Sequence, residues 1–175
     1  RKNQMELFFC KEVKDKKELK EALKQYPELS DEYEVAVIVC AFDAENRIIF
    51  QRRGPACRDE RFKLETIGGR VKETDSDFRA ALHREIVEEE GNEAEIQIGE
   101  LITATYTTTF DERNQAEQNW IYLLYRGELK NGNLQITEPD KNLGYERYQI
   151  GEVEEEQLSS GARELYHIVS RKYGK

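Results

Sequence analysis

The sequence predicts an α/β domain of the α+β kind, a mixed β-sheet covered by helices. Three observations predict it. Apolar β-branched and aromatic runs at 33–42, 47–53 and 120–126 have strand composition, while the stretches at 14–25, 76–90 and 162–173 have helical spacing. The two kinds alternate irregularly, which favours a mixed sheet over a strict doubly wound order. A length of 175 residues suits one packed domain.

Taken in order, Met5 to Cys10 starts a first strand within 5–13, and the Lys-, Glu-, Leu- and Ala-rich stretch Lys14 to Gln25 forms a helix that stops before Pro27. Residues 1–30 thus read as a strand-and-helix extension packed on a domain of residues 31–175. Tyr33 to Phe42 and Arg47 to Arg53 flank the turn signal Asp43-Ala44-Glu45-Asn46 and predict a hairpin. A loop with Gly54, Pro55 and several arginines leads to Thr66-Ile67-Gly68-Gly69-Arg70, and a helix follows from about Ser76 to Glu90, with Gly91 as its left-handed cap. Ala94 to Thr109, Trp120 to Arg126 and Tyr145 to Ile150 read as strands, and Ala162 to Tyr173 as a closing amphipathic helix.

Composition excludes several classes of function. With 27 Lys and Arg against 36 Asp and Glu, the formal net charge of -9 opposes binding of long nucleic acids. The longest apolar runs fall far short of the roughly 20 residues that cross a bilayer, so no membrane partner and a cytoplasmic location are expected. Three widely spaced cysteines, Cys10, Cys40 and Cys57, suggest reduced thiols rather than a disulfide framework or zinc site.

The informative segment is Arg84-Glu85-Ile86-Val87-Glu88-Glu89-Glu90-Gly91. Glutamates crowd the last two turns of a helix, where the macrodipole is already negative and like charges four apart repel by about 0.2 to 0.5 kcal/mol. At about 100° per residue, Glu85, Glu88 and Glu89 share one face and Glu90 points elsewhere. A hard divalent cation such as Mg²⁺ requires this kind of oxygen-rich, negative surface. The bland alternative is a solvated acidic face. Upstream, residues 47–72 hold eight basic and three acidic residues, and residues 73–100 hold ten acidic and two basic ones. A basic strand and loop joined through Gly68-Gly69 to an acidic helix suggests a phosphate grip beside a metal site, with Arg52, Arg53 and Arg70 as candidate substrate-binding residues. For Arg52 and Arg53, ordinary edge-strand charge is the competing reading.

Residues 68–92, GGRVKETDSDFRAALHREIVEEEGN, resemble the Nudix hydrolase signature, Gly, five residues, Glu, seven residues, then Arg-Glu-U-x-Glu-Glu-x-Gly-U with U aliphatic. Arg84 to Gly91 matches fully. The first Glu of the pattern falls on Asp75 counted from Gly69 and on Ser76 counted back from Arg84, and the last aliphatic position is Asn92. The resemblance implies an α/β/α sandwich and hydrolysis of a diphosphate linkage in a small nucleotide or nucleoside-diphosphate derivative. It implies Glu85, Glu88 and Glu89 as ligands of Mg²⁺, with Mn²⁺ as the alternative ion, and the Gly69 carbonyl completing the set. Catalysis would rest on Glu85 and Glu88, with one of the three glutamates also orienting or deprotonating the water and Arg84 positioning the loop. Asp75, or more remotely Glu73, would stand in for the missing Glu, and Asp111, Glu112 and Glu117 are candidates for a further base.

His83 and His167 lack metal-pair spacing and read as surface or packing residues, and Cys40 reads as core. Tyr106, Phe110 and Trp120 are candidates for base stacking, with strand packing as the competing role. The alternative function is a Nudix-fold nucleotide-binding or regulatory module with little turnover; the intact acidic face argues against it. Isoprenyl-diphosphate isomerase chemistry lacks its cysteine motif. The expected partner is a small nucleotide, and the N-terminal strand and helix are the candidate homodimer contact.

Overall fold

The computed structural model describes residues 3–174. Its strands and helices follow in the order β1 (Asn3–Leu7), α1 (Lys16–Ala22), β2 (Glu34–Phe42), β3 (Ile48–Arg53), β4 (Leu64–Glu65), β5 (Ile67–Arg70), α2 (Phe78–Glu90), β6 (Glu95–Asp111), β7 (Ala116–Asn131), β8 (Asn142–Tyr148) and α3 (Ser160–Tyr173). The main path of the sheet is β1-β6-β7-β2-β3-β4, with β5 on β2 and β8 on β3. Among the paired strands of the described residues, β2 and β7 run parallel and the other pairs are antiparallel. This is the mixed sheet between helices that the sequence predicts.

Asp43 shapes the β2–β3 turn by accepting from the backbone N–H groups of Glu45 and Arg47 at 3.0 and 2.9 Å. Asn46, at φ 61°, takes the left-handed conformation that asparagine tolerates. The hairpin is short. Only Ala41↔Ile49 and Phe42↔Ile48 are paired before the strands part, β2 toward β5 and β3 toward β4 and β8. That parting lets Gly68 and Gly69 lie directly against Val37 and Ile38.

Alternation along β2 and β7 divides the core. Val35, Val37, Val39, Ile121, Leu123 and Tyr125 pack under Phe78, Leu82 and Ile86 of α2, and Leu19 of α1 joins the same cluster. Cys40, Phe42, Phe50 and Leu124 pack with Leu165, Tyr166 and Val169 of α3 in a second cluster. Fully buried apolar side chains contribute about 1.5–3 kcal/mol each, so this packing holds α2 in place despite its like charges. Cys40 is buried and its thiol is pushed up to about 12 by burial.

Several boundaries differ from the sequence reading. The first strand stops at Leu7, where the chain turns away and Phe8 N–H bonds to the Tyr26 hydroxyl at 2.9 Å. β6 and β7 extend through polar residues to a tip at 111–116, because their ladder continues as a two-stranded ribbon. Ile150 lies in a turn beyond β8. Gly91 ends α2 at φ 83°, ψ 167°, a positive φ but not the left-handed helical cap. No helix of the described residues is long and apolar enough to cross a membrane.

Candidate active site

α2 starts at Asp77, whose carboxylate accepts from Ala80 N–H at 2.7 Å, an N-cap that fixes where each later turn faces. Along the helix, Ala81 lies in the core beneath the sheet and Arg84 turns back over the loop that precedes the helix. Arg84 Nε and Nη2 donate to the two oxygens of Asp75, both at 2.8 Å, and Nη2 also reaches the Arg70 carbonyl at 3.2 Å. Asp75 accepts from Lys72 N–H at 2.8 Å as well. The guanidinium pairing holds the Asp75 carboxyl down at about 2 and raises Arg84 above its ordinary value. Asp75, the position counted from Gly69 for the missing Glu, is thus the residue that pairs with Arg84.

Asp75→Asn is expected to destabilise the protein by about 1–2 kcal/mol at neutral pH, through loss of a charge-assisted bidentate pair. The carboxyl is depressed from 3.8 to about 2, so its contribution is present above about pH 4 and lost as pH falls toward 2. Urea unfolding of the parent and Asp75→Asn at pH 7 and at acid pH checks this; an unchanged gap would contradict the assignment.

Gly68 and Gly69 bring backbone against the acidic helix. A Cβ on Gly69 would lie 2.4 Å from Glu85 Cδ, and Gly68 N–H donates to Glu89 Oε1 at 3.1 Å. Glu85 is mostly covered, its side chain 12% exposed, whereas Glu88 stands at the rim at 49%. Arg84 Nη1 takes both, at 2.9 Å from Glu85 and 3.1 Å from Glu88. Burial, then the charges of Glu90, Glu85 and Glu65, push Glu89 up to about 9. Among the described residues no three His, Cys, Asp or Glu side chains converge as a ready-made metal cage.

Two carboxylates of this cluster are not singled out by sequence reasoning. Glu90 is fully buried, and Tyr145 of β8 donates its hydroxyl to Glu90 Oε1 at 2.7 Å. Glu90 Oε2 has no hydrogen-bond partner in the protein. Burial pushes Glu90 up to about 7, against the opposing hydrogen bond from Tyr145. Glu65, paired with Arg53, is raised by burial. Helical spacing correctly turns Glu90 away from Glu85 and Glu88, but nothing local indicates that it turns into protein rather than water.

An open cleft of about 900 Å³ lies alongside, lined by Gly68, Gly69, Glu65 and Arg70 at one end. Arg70 has a largely exposed side chain, 3.6 Å from Glu34. The structure places Arg52 and Arg53 outside the lining of this cleft. Arg52 is bound to Glu146, to the Phe62 carbonyl at 2.6 Å and to Gln157 at 2.9 Å; Arg53 is bound to Glu65 and to Asp59 at 2.9 Å. Both guanidinium groups tie strands and loop together. Arg58, part of the same basic stretch, does line the cleft and pairs with Asp111 at the β6–β7 tip. Of the later acids, Asp111 and Glu112 line the cleft and Glu117 does not. His83 is exposed, and His167 pairs with Glu155.

A family model described as the NUDIX domain matches residues 32–168. Solved structures share the fold. The MutT protein from Methanosarcina mazei Go1 is 18% identical with a TM-score of 0.64, over 84% of this chain and 99% of that one. A MutT NUDIX hydrolase from Burkholderia pseudomallei is 20% identical with a TM-score of 0.61, over 79% and 99%. The NUDIX domain of Shewanella oneidensis NrtR, a complex with ADP ribose, is 12% identical with a TM-score of 0.61, over 83% and 91%. No curated protein matches the chain in sequence.

Proposed function

Because the chain belongs to the NUDIX domain family and is a Nudix pyrophosphohydrolase, we propose that it hydrolyses the diphosphate linkage of a small nucleotide or nucleoside-diphosphate derivative with Mg²⁺. The observation that carries this reading is the close approach of the Gly68-Gly69 turn to Glu85 and Glu89. Mn²⁺ is the alternative ion.

The residues present fit a hard divalent ion. The donors are all oxygens, and a Cβ at Gly69 would fill the space beside the Glu85 carboxylate. Glu85, Glu88, Glu89 and the Gly69 carbonyl would hold the ion. When bound, it supplies neutralisation of charge on the diphosphate oxygens and acidification of the attacking water.

This chain's own residues do the rest. Glu88, the exposed member, orients the water or takes its proton, and Glu85 is the second catalytic carboxylate. Arg84 clamps Asp75 and bonds the Arg70 carbonyl, and so ties the loop before α2 to the strand that carries Gly69. Arg70 is the arginine of the sequence-predicted trio that reaches the cleft and would meet substrate phosphate. Residues 31–175 form the proposed hydrolase unit. The extension of residues 1–30 adds β1 to the free edge of β6, where it also offers an edge for a homodimer contact. Three free thiols fit a cytoplasmic location.

Product formation from a panel of dinucleotides, nucleoside-diphosphate sugars and nucleoside triphosphates tests the reading. At least one substrate is expected to turn over with Mg²⁺ or Mn²⁺ and to stop on chelation; no metal-dependent turnover of any member would overturn it.

A further inference from the structure

Beyond Gly68 and Gly69 the cleft runs over a floor made by three neighbouring strands. The ladder sets Glu34 of β2 beside Trp120 of β7, Ala36 beside Tyr122, and Thr105 of β6 on the other side of Tyr122. All five line the cleft. The Trp120 and Tyr122 rings are half-buried and stack on one another, 11° from parallel with centroids 5.8 Å apart, which leaves an outer ring face free to continue the stack. Ala36, a small residue between larger ones, leaves space next to it.

The polar groups around this stack are unusual. Thr105 is buried and its hydroxyl has no hydrogen-bond partner in the protein. A structure leaves few such groups unsatisfied without reason, and this one borders a cleft open to a ligand. The lining is also acidic, with seven Asp and Glu residues against Arg58 and Arg70. That charge disfavours a second phosphate grip here and favours a flat group that presents hydrogen-bond donors.

We propose that this part of the cleft is the nucleobase site: the base continues the Trp120–Tyr122 stack, its edge bonding the Thr105 hydroxyl and the Glu34 carboxylate. The site therefore prefers amino-bearing bases to uracil. Stacking on aromatic rings accepts any base, because every base has a π-face. The discrimination comes from the edge. Adenine, cytosine and guanine present an amino donor to a carboxylate, whereas uracil flanks its one reachable N–H with carbonyl oxygens, which a carboxylate repels. This inference rests on the nucleotide reading above and deepens it by naming the base class.

Trp120 is the single tryptophan of the chain, so intrinsic fluorescence reports this site alone. The probes are AMP, CMP, GMP and UMP, with ribose 5-phosphate as the baseless control. None carries a diphosphate, so binding is read apart from turnover. AMP, CMP and GMP are expected to quench emission saturably, with dissociation constants about tenfold below that of UMP, the effect of one hydrogen bond to a charged acceptor. Ribose 5-phosphate should leave emission unchanged. Glu34→Gln, whose carbonyl repels less, should narrow the gap to UMP, and Tyr122→Ala should weaken every base; thermal unfolding confirms that both variants are folded. Equal binding of UMP in the parent, or ribose 5-phosphate displacing the nucleotides as well as they displace one another, overturns the proposal. Ordered quenching without hydrolysis of any diphosphate would sink the hydrolase reading instead, and hydrolysis without quenching sinks the base site alone.

Discussion

Glu89→Gln is expected to lower kcat by about a hundredfold or more, on the order of 2.7 kcal/mol in the barrier, while leaving the fold at least as stable as the parent. Both halves follow from the surroundings of Glu89. It is held by Gly68 N–H and crowded by Glu90, Glu85 and Glu65, and burial opposes its charge most of all. A neutral amide of the same shape removes that opposition and also removes a ligand charge. Steady-state kinetics on the best panel substrate, together with thermal unfolding, checks both. Unchanged turnover would reject the assignment of this carboxylate to the site.

The two adjacent glycines are expected to fail in different ways. A Cβ on Gly68 would fall 2.2 Å from the Val37 carbonyl oxygen and 2.7 Å from Ile38 Cα, in backbone that cannot move without opening the β2–β5 ladder. Gly68→Ala is therefore expected to cost about 3 kcal/mol or more of stability, at the upper end of overpacking effects. A Cβ on Gly69 meets only the far end of Glu85, which can swing aside. Gly69→Ala is expected to change stability by less than about 1 kcal/mol but to reduce kcat by about tenfold or more, because the displaced group is the carboxylate proposed to act in catalysis. Paired unfolding and kinetic measurements decide it; equal stability losses in the two variants would show that the turn is not placed as described.

The signature segment was legible because its logic is local. Glutamates at the wrong end of a helix, a glycine pair before it and an arginine one position ahead of the first acid can be read within 25 residues. Asp75 is a candidate that the count from Gly69 gives, and the structure pairs it with Arg84. Arg52 and Arg53 were harder to place. Their partners Glu146, Asp59 and Glu65 become neighbours only through the β3–β8 and β3–β4 ladders, which no spacing in the sequence declares. The parallel pairing of β2 with β7 was equally hidden, since about 80 residues separate strands whose composition alone does not choose a partner. Glu90 illustrates the same limit for burial, because its partner Tyr145 lies 55 residues away.

The end of α2 is clasped by chain from far downstream. Thr137 donates its hydroxyl to the Glu88 carbonyl at 2.8 Å, Gln135 N–H bonds to the Glu90 carbonyl at 2.9 Å, and Tyr145 secures Glu90. Without these donors, a terminal turn carrying three consecutive glutamates would tend to fray. The last turn of α2 is thus held by residues of the segment between β7 and β8 and by Tyr145 of β8. A chain ending after β7 would contain every signature residue yet lack Gln135, Thr137 and Tyr145, the donors that clasp the end of α2.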